Sequence, residues 1–262
     1  MWKRLARIAP LTVTATLALA TMTISTAGCS DSSPVAPAPP DLATPPDLSL
    51  PFCAAAEQGL QDITGTPASP YFVHHPDHAT PDTPTVIFLP GGSGSRDIAA
   101  SYIFKNWISR GKRLGELRVI VPYSDSDDFP GELDRVVPIV DEVLACYGGA
   151  RDKVHLAGTS NGGRGAYQTM LAASDRFATL LGAPGLFPGG ASDGDLKRAL
   201  LGKSIYNGAG ELDPDWRPPV EKTDMRLQSL GLDSIFVVFP LQGHILYSKF
   251  NPDGFFDFWL TR

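Results

Sequence analysis

The chain predicts an α/β domain, in which a mostly parallel sheet is covered by helices on both faces. Three observations carry this prediction. From about Phe52 onward, short apolar runs rich in β-branched residues recur, and they alternate with longer stretches at helical spacing. Turn-forming Pro and Gly residues bound most of the short runs. Several runs are apolar at nearly every position, the pattern of strands buried on both faces rather than half-exposed.

Tyr71 to His75 reads as an early strand, and Thr85-Val86-Ile87-Phe88-Leu89, between Pro84 and Pro90, as a buried one. Residues 97 to 108 bring Ile98, Tyr102, Ile103, Phe104, Trp107 and Ile108 close to helical spacing, and Leu117 to Val121 is the next strand. Glu132 to Tyr147 reads as a helix despite Pro138, because Val136, Val137, Val140, Val143 and Leu144 form a broad apolar face. Lys153 to Ala157 is then a strand, Gly163 to Ala173 a helix, and Ala178 to Leu181 a short apolar run. Ser204 to Tyr206 (strand), Pro219 to Leu230 (helix), Ser234 to Phe239 (strand) and a helix around Gly254 to Leu260 complete the series. Little chain separates Leu181 from Ser204, so the expected domain is minimal, with no large lid.

The N-terminus has a different character. Residues 1–28 have the layout of an export signal, with basic Lys3, Arg4 and Arg7, an apolar stretch from Ile8 to Ile24, and small residues after it. Pro10 and several Thr residues break the apolar run, so it falls short of the ~20 strongly apolar residues of a spanning helix. Thr26-Ala27-Gly28-Cys29 resembles the bacterial lipoprotein box, whose Cys takes lipid and becomes the new N-terminus. The box usually has Leu where this chain has Thr26, and Ser25-Thr26-Ala27 also suits an ordinary signal peptidase. The expectation is a cell-envelope protein held to a membrane through lipid on Cys29, with a secreted, soluble form as the alternative. Residues 29–51, rich in Pro, Ala, Ser, Thr and Asp and without an aromatic, read as a disordered tether. The catalytic-sized domain is then 52–262. With Cys29 set aside, Cys53 and Cys146 are an even pair in an exported chain and are expected to be bridged, two separate buried thiols being the alternative.

The net charge is −6, and Lys and Arg are scattered rather than gathered into a stripe, which leaves no footprint for nucleic acid. His74, His75, Asp77 and His78 suggest a metal group, but read better as a strand end entering a turn. Asp125, Asp127 and Asp128 lack the Gly and terminal Glu of a calcium loop. No metal or organic cofactor is called for. Trp107 fits core packing; Trp216 fits either packing or substrate contact.

The chemistry centres on Gly158-Thr159-Ser160-Asn161-Gly162. Chance alone often supplies Gly-x-Ser-x-Gly, so the setting decides. Here it follows the strand Val154-His155-Leu156-Ala157 and opens a helix, the strand-turn-helix setting of a nucleophile elbow. A Ser hydroxyl needs a base to take its proton and an acid to orient that base. His244, in Pro240-Leu241-Gln242-Gly243-His244 after a strand, supplies the base, and Glu211 or Asp213, after the strand at Ser204, the acid. Ser, then acid, then His is the order this arrangement requires.

Taken together, these segments resemble the α/β-hydrolase superfamily, and within it polyhydroxybutyrate depolymerase-like and feruloyl esterase-like secreted esterases. Val154-His155-Leu156-Ala157-Gly158-Thr159-Ser160-Asn161-Gly162-Gly163 carries the closer likeness. The resemblance implies Ser160 as nucleophile and His244 as base. It favours Asp213 over Glu211, since Gly210-Glu211-Leu212-Asp213 is similar to the family's Gly-x-x-Asp loop. It also implies an oxyanion hole from the backbone amides of Asn161 and Gly92, the latter in Pro90-Gly91-Gly92-Ser93-Gly94-Ser95, where many relatives have His in place of Pro90. The implied activity is hydrolysis of a carboxylic ester, polymer-linked esters included, through an acyl-enzyme. A peptidase or other acyl hydrolase of the same fold, and a catalytically silent surface-binding lipoprotein, are the alternatives.

Overall fold

A computed structural model describes residues 53, 56–57, 59–64, 66, 68, 70–104, 108–124, 133–247 and 249–262. The expected signal, tether and Cys29 lie outside the described residues, as do Trp107, Asp125, Asp127 and Asp128. The strands are β1 (Gly59–Ile63), β2 (Tyr71–His75), β3 (Thr85–Leu89), β4 (Arg118–Pro122), β5 (Val154–Gly158), β6 (Thr179–Gly182), β7 (Ser204–Gly210) and β8 (Asp233–Phe239). The helices are α1 (Arg96–Phe104), α2 (Val136–Tyr147), α3 (Asn161–Ala172), α4 (Asp193–Leu200), α5 (Arg217–Ser229) and α6 (Asp253–Leu260). The sheet runs β1-β2-β4-β3-β5-β6-β7-β8, antiparallel at β1/β2 and β2/β4 and parallel from there on.

Alternation along each strand divides the core in two. Ile87, Leu89, Leu156, Leu180 and Ile205 point to one face and pack with residues of α2, α3, α4 and α5. Val86, Phe88, Ala157, Leu181 and Tyr206 point to the other and pack with α1 and α6. The winding explains the split. From β3 the chain crosses through α1 to β4 on one side, then returns through α2 to β5 on the other and continues one way to β8. Parallel crossovers are right-handed, so the reversal sends α1 to the opposite face from α2 and α3. It also opens a crevice beyond the carboxyl ends of β3 and β5.

Several elements differ from the sequence expectation. α2 starts at Val136 rather than Glu132, after a 3₁₀ turn at Leu133–Arg135. Pro138 is thereby the third helical residue, where a backbone N–H has no intrahelical acceptor to lose. α4 occupies part of the short link before β7. Its Ser192 hydroxyl accepts the Asp195 amide at 3.1 Å and the Asp195 carboxylate accepts the Ser192 amide at 3.2 Å, a capping box, while Leu196, Ala199 and Leu200 enter the core. No lid is inserted between β6 and β7. Among the described residues no helix is long and apolar enough to cross a membrane.

Cys53 and Cys146 form a disulfide, with Cα atoms 5.3 Å apart, that ties the start of the domain to the last turn of α2. It spans 93 residues of chain. Replacing both cysteines by Ser is expected to lower the unfolding free energy by about 2–5 kcal/mol, read from urea titration. The end of α2 has a second clamp. Fully buried Arg118 donates to the Gly148 carbonyl at 2.7 Å and to that of Tyr147 at 3.1 Å, placing a cation at the negative end of the helix.

Two buried histidines make stability depend on pH. Burial pushes His155 down to about 4, and burial with the nearby Arg118 charge does the same for His75. Both would titrate near 6.5 in the unfolded chain. Between pH 6.5 and 4 the unfolded state therefore binds protons that the native state refuses, and stability falls as pH falls through that window. His155 contributes up to about 1.4 kcal/mol per pH unit. Urea midpoints between pH 4 and 7 should show the slope, and His155→Leu should reduce it, with His75 retaining the rest.

Candidate active site

β3 and β5 pair in register up to Leu89 and Gly158, so the loops that follow them leave the sheet side by side. Ser160 sits in the second of these loops with φ 55° and ψ −122°, a conformation that residues bearing a Cβ rarely adopt. Its surroundings over-determine it. The Thr159 amide donates to Leu89 O at 3.2 Å, the Ser160 amide to Pro184 O at 2.8 Å, the Thr159 hydroxyl to Ala183 O at 2.6 Å, and the Arg164 amide to Ser160 O at 2.9 Å. The glycines supply room for this. A Cβ on Gly162 would lie 2.1 Å from Leu89 O, and one on Gly163 2.1 Å from Pro184 O. α3 begins at Asn161, two residues before the expected start, so the helix follows Ser160 directly.

β7 runs on to Gly210, four residues past the expected end at Tyr206. Its glycines suggest a loop, yet Gly208 is the residue against which the Phe239 ring packs: a Cβ there would lie 2.3 Å from that ring. Gly210 pairs with Phe239, so the loops carrying Asp213 and His244 also start opposite one another. They are joined to each other. The Glu211 amide donates to Phe239 O at 2.9 Å, the Leu212 amide to Gln242 O at 2.8 Å, and the Leu241 amide to the Glu211 carboxylate at 2.9 Å. Leu241 takes a left-handed φ of 59° in this turn, and the Gln242 side chain accepts the Tyr247 amide at 2.8 Å.

This framework brings His244 between two partners. Its Nδ1 is 2.9 Å from Asp213 Oδ2 and its Nε2 is 2.9 Å from Ser160 Oγ. Asp213 is 4% exposed, and its other oxygen accepts the Trp216 amide at 3.3 Å. Of the two acids, Asp213 meets the imidazole, while Glu211 holds the turn of the His loop. That second role leaves no mark in the sequence, because it depends on where the β8 loop folds back. Trp216 is also placed at the site, its ring 5.1 Å from that of His244. The guanidinium carbon of Arg164 lies 4.8 Å from the Trp216 ring centre.

Beside Ser160 is a pocket of about 370 Å³ lined by Gly91, Gly92, Ile98, Ser101, Tyr102, Thr159, Ile245 and the Ser160–His244 pair. Gly92 has φ 65°, and its carbonyl accepts the Asn161 side-chain amide at 3.0 Å, fastening the loop after β3 to the elbow. The Asn161 N–H heads α3, where the helix offers no acceptor and its dipole favours negative charge. The Tyr102 hydroxyl contacts Gly91 and Thr159, and burial raises its pKa, which keeps it protonated. His75 points elsewhere: it is buried and bonded to Arg118. Among the described residues no three His, Cys, Asp or Glu side chains gather as a metal site would require.

No protein-family model matches the chain, and no curated protein matches it in sequence. Solved structures do match in fold. S-formylglutathione hydrolase from Staphylococcus aureus superposes with TM-score 0.58 at 18% identity, over 74% of this chain and 94% of its own. A ferulic acid esterase from Anaeromyces mucronatus, in complex with ferulic acid, gives 0.57 at 16%, over 80% and 94%. Acetyl xylan esterase from Aspergillus awamori gives 0.55 at 13%, over 77% and 98%. With the sheet order and the helices on both faces, these likenesses establish the α/β-hydrolase fold.

Proposed function

We propose that this chain, built on the α/β-hydrolase fold, is a serine hydrolase that cleaves carboxylic esters through an acyl-enzyme. The observation that carries the reading is the continuous hydrogen-bonded row Ser160–His244–Asp213, with the serine on a strained elbow. In the reacting tautomer, His244 Nδ1–H donates to Asp213 and Nε2 accepts the Ser160 hydroxyl proton. The Ser160 oxygen attacks the ester carbonyl, and the Asn161 and Gly92 amides receive the negative charge of the tetrahedral intermediate. Collapse breaks the bond to the alcohol, which leaves with the proton from His244. Water then gives a proton to His244 as it attacks the acyl-enzyme, and the carboxylic acid departs while Ser160 recovers its hydrogen. Asp213 fixes the tautomer and stabilises the imidazolium.

A fluorophosphonate probe tests the reaction class. It is expected to label the wild type covalently and to leave Ser160→Ala unlabelled; folded wild-type protein that takes no label would favour a silent binding protein. The uncovered pocket suits short or compact acyl groups, including those borne on a polymer, better than long lipid chains. Short-acyl esters are therefore expected to exceed long-chain ones in kcat/KM by at least about tenfold, and the reverse order would overturn the argument from the missing lid.

The proposed setting is the bacterial cell envelope, with lipid on Cys29 as the anchor. The N-terminal signal pattern supports this, and so does a disulfide, a bond that persists outside reducing compartments. Metabolic labelling with a fatty-acid probe should mark the wild type and spare Cys29→Ser. A secreted protein would take no label.

A further inference from the structure

We infer that Arg164 and Trp216 form an anion-binding subsite beside the triad, which receives a carboxylate carried on the leaving group of the ester. The inference rests on the serine-hydrolase reading above. Arg164 lies one helical turn beyond the nucleophile, its amide bonded to Ser160 O, and it is exposed. Its guanidinium carbon is 4.8 Å from the centre of the Trp216 ring, which in turn is 5.1 Å from that of His244. The two contacts in series keep the cation within about 10 Å of the imidazole centre, the span of a small leaving group.

Arg164 differs from other arginines of the chain in what it touches. Arg176, Arg198 and Arg226 each pair with an aspartate, whereas among the described residues no carboxylate pairs with Arg164. An aromatic ring attracts a guanidinium's charge, but it lacks the two acceptor oxygens that the fork of N–H donors fits. A carboxylate arriving at the site would supply them. The chain as a whole carries −6 and repels anions, so a cation beside the reacting centre matters most for an anionic substrate.

The geometry also says which half of the substrate bears the charge. Apart from hydroxyls and the His244 imidazole, the pocket that faces Gly91, Gly92, Ile98 and Ile245 is apolar in its side chains, and it includes neither Arg164 nor Trp216. It suits the acyl group. His244 hands its proton to the departing oxygen, so the leaving group lies toward the imidazole, and Trp216 packs on that imidazole.

The test compares 4-carboxyphenyl acetate with 4-(methoxycarbonyl)phenyl acetate, which share the acyl group and differ in the charge of the leaving group. Arg164→Gln is expected to lower the ratio of their kcat/KM values by about five- to tenfold, with Arg164→Lys restoring part of it and about 0.5 M salt shrinking it in the wild type. An unchanged ratio in Arg164→Gln overturns the subsite. A change confined instead to the pair 4-nitrophenyl hemisuccinate and 4-nitrophenyl methyl succinate overturns its placement on the leaving-group side. Absence of Ser160-dependent hydrolysis of the neutral acetate overturns the reaction itself, and the subsite with it.

Discussion

Asp213→Asn is expected to lower kcat on a short-acyl ester by about 10⁴-fold, while Glu211→Gln costs less than about tenfold. The two acids stand two residues apart in one loop, yet their contacts differ in kind. Asp213 is buried and bonded to His244 Nδ1, so an amide there can present N–H to the ring and trap the imidazole in the tautomer that cannot take the Ser160 proton. Glu211 accepts a single amide, that of Leu241, from an exposed position, and a Gln carbonyl can keep that bond. Kinetics of the two variants beside the wild type decide the assignment. Full loss in Glu211→Gln with activity retained in Asp213→Asn would reverse it.

Gly162→Ala is expected to cost at least about 3 kcal/mol of stability and to abolish probe labelling. The added methyl would sit 2.1 Å from Leu89 O and 2.3 Å from Pro90 O, both backbone atoms of the strand and loop that flank the elbow. No rotamer change relieves a clash with backbone, so α3 must lift from β3 or Ser160 must leave its strained conformation. Gly189→Ala is the control, because a Cβ there meets nothing within 4 Å; its urea midpoint should stay within about 0.5 kcal/mol of the wild type.

What the sequence made legible follows from how local each cause is. β2 and β3 lie where their apolar runs place them, since burial on both faces and flanking Pro residues mark a strand without reference to distant chain. The strand-turn-helix at Ser160 is legible for a similar reason, its glycines and serine being contiguous. β7 extends beyond Tyr206 although Asn207-Gly208-Ala209-Gly210 has turn composition, and only the Phe239 ring lying against Gly208 makes the glycine a strand residue. β1 carries little strand signal of its own, being an edge strand whose Gly59 and Asp62 disfavour sheet locally and whose pairing with β2 settles the matter. α4 could have been read from Ser192 and Asp195, three apart ahead of an apolar face. The contact of Trp216 with His244 joins residues from separate loops, and no spacing in the sequence announces it.

The bonds between the two loops beyond β7 and β8 divide the proposed triad mechanically. Asp213 and His244 sit on one body, cross-braced through Glu211, Leu212 and Gln242 at the edge of the sheet, whereas Ser160 belongs to the interior, following β5, two strands in from β7. Loosening of the sheet edge is expected to carry Asp213 and His244 together and to open the gap between His244 and Ser160. Mild heat or denaturant should therefore abolish fluorophosphonate labelling of Ser160 while the Asp213–His244 pair persists, so loss of labelling runs ahead of unfolding and reverses as the edge closes.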